Sequence, residues 1–164
     1  MSQYFKMIEP QEGGKFLGRC VGLTNSKEFI QFIDVLREQG MGVAMPIFPK
    51  KWEWVGEDYI KRPVFDLVPT FSSGLVLSDR AYRVVGSLFP AATTPHADFE
   101  LDGAVYHWIG FSGVRGKLEE ITTLPIDART PVVKLMPSAV MICREVFVKA
   151  WTQAGLTGAV FTKV

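Results

Sequence analysis

An α+β fold, with a mixed, mainly antiparallel sheet and helices packed against it, is predicted by three features of this sequence. One sharply bounded amphipathic helix follows an N-terminal strand, an Asp-Gly pair sits between two apolar arms, and a strand-helix unit is stated twice. Several connections are too short to return a parallel strand, which argues against a doubly wound sheet.

The elements follow in order. Tyr4, Phe5, Met7 and Ile8 form a short apolar stretch ended by Pro10 and the Gly13-Gly14 pair, which reads as a strand and a turn. Asn25 is a helix-capping residue with Glu28 three positions on, and Phe29, Ile33 and Leu36 recur at i, i+4, i+7 before Gly40. A helix over about Ser26 to Gln39 is predicted. From Met41 to Pro69 the prolines at 46, 49, 63 and 69 interrupt ladders and helices, so irregular or edge structure is expected.

Gly74 to Leu77 reads as a strand, Ser78-Asp79 as a cap, and Arg80 to Leu88 as a helix. A hairpin is expected over Phe99 to Trp108, turning at Asp102-Gly103. Gly110 to Thr130 is turn-rich, and Lys117 to Thr123 fits either a short strand or one helical turn. Ala139 to Cys143 is again a strand, Arg144 to Ala154 a helix, and Gly158 to Thr162 a strand. VLSDRAYRVVG from Val76 and MICREVFVKAW from Met141 share the order strand, polar break, helix, with Tyr82 and Phe147 at matching places, as in two related strand-helix-strand units.

With 164 residues the chain fits one domain, residues 1-164, large enough to hide roughly 70% of its unfolded surface without a disulfide or metal. The 18 basic and 17 acidic side chains form no long run of either sign, which disfavours nucleic acid, since that binding needs clustered Lys and Arg. Cys20 and Cys143 fit neither a CxxC motif nor zinc-ligand spacing and are read as free thiols of a reducing cytosol. The start lacks a signal-peptide apolar region, and no apolar stretch approaches the roughly 20 residues that span a bilayer. A cytoplasmic protein without a membrane span is therefore expected.

Catalytic chemistry is sparsely signalled. His96 and His107 are far apart in sequence with no partner cysteine or histidine nearby. Asp98, Glu100 and Asp102 alternate beside His96 and would share a strand face, which a hard cation or a small hydrolase could use, or which is simply a solvated face. Phe71-Ser72-Ser73-Gly74 and Phe111-Ser112-Gly113 both lack the GxSxG elbow, Cys143 lies in an apolar strand, and GFSGVRG (Gly110 to Gly116) is not a phosphate loop. No cofactor, metal or catalytic residue is assigned. Trp108 and Trp151 stand in apolar patterns that predict core roles. Lys50-Lys51-Trp52-Glu53-Trp54, followed by Glu57 and Asp58, instead alternates charge and indole in a long segment. That makes Lys50, Lys51, Trp52, Trp54, Glu57 and Asp58 the expected partner-binding residues, unless the indoles cover a sheet edge.

The C-terminal MICREVFVKAWTQAGLTGAVFTKV resembles the closing segment of immunity-protein family eleven of bacterial polymorphic-toxin systems. The likeness runs through the apolar Val140 to Cys143, Arg144-Glu145 to Lys149, Ala154-Gly155-Leu156-Thr157-Gly158 and Phe161. Gly74 to Val85, after Phe65-Asp66-Leu67-Val68-Pro69, resembles the family's middle strand and helix; Cys143-Arg144 departs from its usual Ser-Glu. The resemblance covers about half of the chain. It implies a cytosolic antidote that binds a cognate toxin one-to-one, with no catalytic residues to carry over. A small hydrolase using His96, Asp98 and Glu100 and a self-associating structural module are the competing expectations.

Overall fold

The computed structural model describes residues 3–70, 73–111 and 113–164; Phe71, Ser72 and Ser112 of the two serine-containing segments lie outside these. The N-terminal part comprises β1 (Tyr4–Ile8), β2 (Gln11–Glu12), β3 (Lys15–Phe16), β4 (Cys20–Leu23), α1 (Ser26–Gln39), α2 (Met41–Ala44) and β5 (Trp52–Val55). The middle holds β6 (Leu67–Val68), β7 (Leu75–Ser78), α3 (Asp79–Val85), β8 (His96–Leu101) and β9 (Ala104–Ile109). The C-terminal part holds β10 (Gly113–Arg115), β11 (Val132–Met136), β12 (Val140–Arg144), α4 (Glu145–Gln153) and β13 (Val160–Lys163).

The fold is α+β. Two sheets dominate, a five-stranded one in the order β10-β11-β12-β1-β13 and a four-stranded one in the order β6-β7-β9-β8, with β2-β3 and β4-β5 as separate two-stranded pairs. All of these ladders are antiparallel except β10 with β11. That parallel pair places a short strand, Gly113–Arg115, within the turn-rich stretch Gly110 to Thr130. The stretch between its strands, long enough for a parallel return, resolves the Lys117 to Thr123 ambiguity as a helical turn at Leu118–Glu120.

α1 has the predicted bounds. The Asn25 side chain accepts a hydrogen bond from the Lys27 N–H, and Gly40, at φ 84°, ends the helix with its N–H on the Leu36 carbonyl. Its fully covered residues are Phe29 and Phe32, so the buried stripe is shifted from the expected Phe29, Ile33, Leu36 line, and the last two are only partly buried.

Each face of the four-stranded sheet carries its own core, as the period-two alternation of strand side chains requires. On one face Val76, Phe99, Tyr106 and Trp108 pack against Phe29 and Phe32 of α1, with Phe48 and Trp52. On the other, Leu67, Leu75, Leu77 and Ile109 meet Ala81 and Val85 of α3 and Phe147 and Trp151 of α4, and the same cluster reaches Met7, Val132 and Cys143 of the five-stranded sheet. The duplicated strand-helix pattern is realised as β7-α3 and β12-α4, one in each large sheet, and α3 and α4 contribute to this shared core. The copies differ at the cap: Ser78 accepts from the Ala81 N–H, whereas Arg144 makes no side-chain cap.

A buried carboxylate ties the middle of the chain to its end. Asp66, 8% exposed, accepts hydrogen bonds from the Ser78 hydroxyl at 2.7 Å, Arg80 at 2.9 Å, the Thr157 N–H at 2.8 Å and the Thr157 hydroxyl at 3.0 Å. Burial pushes this carboxyl up, but the bonds from Arg80, Ser78 and Thr157 outweigh burial and hold it below the usual carboxylate range. Residues 66, 78, 80 and 157, from the middle and the end of the chain, therefore converge on one buried hydrogen-bond cluster.

Candidate functional site

The segment 50–58 is expected as irregular or edge structure whose two indoles either anchor a partner or cover a sheet edge, and for Trp52 the structure overturns the anchor role. Trp52 to Val55 form a strand paired with β4, with Trp54 opposite Val21 and Trp52 opposite Leu23. The two indoles do share a face, but that face is turned inward. Trp52 is 5% exposed, its ring lies 4.3 Å from Phe99 at 10°, and its Nε1–H donates to the Pro49 carbonyl at 2.8 Å. A side chain this covered serves as core and is not available as a partner anchor.

Trp54 lies further along the same face, where the core runs out. Half-buried, it packs edge-on against Tyr106, lies under the Arg19 guanidinium at 5.5 Å, and donates its Nε1–H to Asp102 at 2.9 Å. Arg19 is itself fixed by the carbonyls of Tyr59, Ile60 and Arg62. At the other end of the segment, Lys50 donates to the Asp98 carbonyl at 2.7 Å and lies 3.6 Å from its carboxylate. Lys51, Glu57 and Asp58 are exposed, and Asp58 is paired with Arg62 at 3.0 Å. The hydrogen bond from Arg62 holds the Asp58 carboxyl below its ordinary range. Two regions read separately in the sequence, 50–58 and 96–102, thus form one continuous rim.

On β8 the residues His96, Asp98 and Glu100 are exposed while Ala97 and Phe99 are buried, as the alternation predicted. Asp98 turns to Lys50, so these carboxylates do not converge on His96. Among the described residues no group of three or more His, Cys, Asp or Glu side chains is placed to hold a metal ion.

What the sequence reading missed lies on the other side of His96. Its Nε2 is 3.0 Å from Nδ1 of His107, and His107 Nε2 is 2.8 Å from Asp79 Oδ1. The two imidazoles lie side by side, with centroids 5.2 Å apart and planes 15° apart, so the facing nitrogen lone-pair axes are nearly collinear. That geometry suits a shared proton, not a metal bound to both. Tyr82 of α3 lies flat over the pair, 4.4 Å from His96 and 4.0 Å from His107. Arg83 pairs with the second oxygen of Asp79 at 2.8 Å.

Hydrogen-bond bookkeeping orders the chain. The Asp79 carboxylate only accepts, so His107 Nε2 carries a proton; in the tautomer where His107 accepts at Nδ1, His96 Nε2 carries the next one. The lone pair left over is at His96 Nδ1. The hydrogen bond from His107 and the charge of Arg83 keep the Asp79 carboxyl below its usual range, consistent with an ionised acceptor. His96 is pushed below its ordinary value, first by desolvation and then by His107 and Lys50, against the opposing pull of Asp98.

The hairpin register would have exposed this pairing. A turn centred on Asp102-Gly103 puts Asp98 opposite His107 and His96 opposite Ile109, so the two histidines are diagonal neighbours on one face. Asp79 gave no local signal beyond its place after a capping serine. Cys20 and Cys143 are free and buried, and burial raises both thiols, which leaves them poor nucleophiles at neutral pH.

No family model and no curated protein matches this chain. Among the described residues no helix is long and apolar enough to cross a membrane.

Proposed function

We propose that this protein is a toxin-neutralising immunity protein, which binds a cognate bacterial toxin one-to-one in the cytoplasm and covers its active site or substrate path. The reading rests on the resemblance of the Asp66 to Ser87 and Met141 to Val164 segments to immunity-protein family eleven. The observation that carries it is the rim of Lys50, Trp54, Glu57 and Asp58 with Asp98 and Asp102, pinned by Lys50 on Asp98 and Trp54 on Asp102. A surface already ordered before contact loses little side-chain freedom on binding, and a half-buried indole among charges matches the make-up of interface hot spots.

Trp54 is the anchor in this reading, and Trp52 supports it from beneath. The test is co-expression with the protein encoded directly upstream. Replacing Trp54 by Ala weakens toxin binding by about 2 kcal/mol, near thirtyfold, and lowers protection. Full protection and unchanged affinity in that variant would remove the rim from the account.

A second reading, a small hydrolase, is favoured by the Asp79-His107-His96 chain, which leaves a basic nitrogen at the surface. In that case Asp98→Asn and Glu100→Gln leave turnover unchanged while Asp79→Asn lowers it. Toxin protection without any turnover that responds to Asp79 would dismiss it.

A further inference from the structure

His96 borders a cleft of about 710 Å³ whose lining includes Met41, Met45, Tyr82, Phe89 and Pro90. The volume is that of a small-molecule site, and such sites are mostly apolar with one or a few polar groups that fix orientation. The walls combine thioether, aromatic ring and proline with the polar side chains of Arg83, Ser87 and Thr94. His96 is a polar group whose protonation the rest of the fold dictates.

With His96 Nε2 committed to His107, the free Nδ1 is on the ring edge away from that partner. The Tyr82 hydroxyl is 3.3 Å from Nδ1, but its ring is parallel to the imidazole at 11°. The phenol oxygen therefore sits over the nitrogen and off its in-plane lone-pair axis, where a hydrogen bond is poorly aligned. The lone pair is left for a donor arriving in the plane of the ring.

From this geometry we infer that the cleft binds an aromatic alcohol, with the ring against Met41, Met45 and Phe89 and the hydroxyl donating to His96 Nδ1. Thioethers and aromatic walls favour an aromatic body. His96 Nδ1 is the acceptor whose protonation the imidazole pair sets, and it favours a donor on that body. His96 stands at one end of the 96–102 stretch, but the cleft lining includes none of the rim residues Lys50, Trp54, Asp98 and Asp102.

The fold also sets a pH signature. The groups that face His96 are His107 and, behind it, Asp79 with Arg83; Tyr82 on the ring face; and Asp98 with Lys50 along the strand. One extra proton taken up by His96 ends with its Nδ1–H occupied, because the shared position between the rings takes only one. At neutral pH the site accepts a hydrogen bond; after one protonation it donates.

The test is titration of the full chain, labelled at methionine methyls and histidine nitrogens, with phenol and with anisole, which lacks the donor. At pH 7.5 phenol is expected to shift Met41, Met45 and His96 saturably and to bind about fivefold more tightly than anisole, the ratio one neutral hydrogen bond sustains. Below the titration of His96 the two should converge, and in His96→Phe the preference should vanish at every pH. Equal affinities at pH 7.5, absent or displaced shifts, or a preference that survives in His96→Phe would each overturn the inference. N-acetyl-L-tyrosinamide distinguishes the sources: binding at least as tight as phenol identifies a tyrosine side chain of a protein, and weaker binding a free aromatic alcohol.

Discussion

At the scale of single residues, polar side chains determine what the molecule can do, and their partners are distant in sequence. Asp66 gathers Ser78, Arg80 and Thr157, and removing the carboxylate leaves their donors without an acceptor in a covered place. Asp66→Ala is expected to cost about 3 kcal/mol in denaturant unfolding. A loss within experimental error of zero would mean that water replaces the carboxylate freely.

Acid stability should fall in two stages. His96 has a folded pKa below its unfolded value near 6.5, so as pH drops through about 6.5 the unfolded chain takes up its proton first and stability declines until the folded value is passed. Asp66 has a depressed folded pKa, so its contribution persists above the unfolded carboxylate range and is lost only as pH falls through the folded value. Comparing melts of wild type and His96→Gln between pH 7.5 and 3 checks the upper stage. Parallel curves through pH 6.5 to 5 would contradict it.

At the scale of elements, legibility followed how local the controlling forces are. α1 was readable to the residue because Asn25 and Gly40 close it from within a few positions. Asn25→Ala should accordingly cost about 1 kcal/mol of stability. The β8-β9 turn was readable because Asp102 and Gly103 both take positive φ, at 52° and 79°. β10 and β11 were not, since three short parallel rungs, Gly113 to Arg115 on Lys134 to Met136, depend on a partner far along the chain. The AGLTG stretch was read correctly as a helix stop and a turn, with Gly155 and Gly158 at φ 65° and 92°. Its second reason was hidden: a Cβ at Gly158 would lie 2.7 Å from the Leu67 carbonyl oxygen. Gly158→Ala should therefore cost about 2 kcal/mol, measurable as a lowered midpoint of unfolding, from the backbone conformation before any clash is counted.

At the scale of the whole molecule, the four-stranded sheet carries a core on each face, and its β8 margin brings His96, Asp98 and Glu100 to the surface. That explains why 50–58 and 96–102 merge into one rim: β5 feeds Trp52 into the core beside Phe99 and leaves Trp54 at its boundary. The class of fold was legible because alternation and caps are sequence properties. The division of labour between two indoles of the same strand was not, because it depends on where the underlying core ends. The two should separate experimentally, with Trp52→Ala destabilising by about 3 to 5 kcal/mol and Trp54→Ala changing stability far less.

The most direct test of a preformed partner-binding rim is calorimetric titration of this protein with the C-terminal segment of the protein encoded directly upstream. The account predicts one-to-one association, weakened about thirtyfold by Trp54→Ala while the variant's unfolding midpoint stays near that of the wild type. Absence of heat, or equal affinity of wild type and variant, would contradict it.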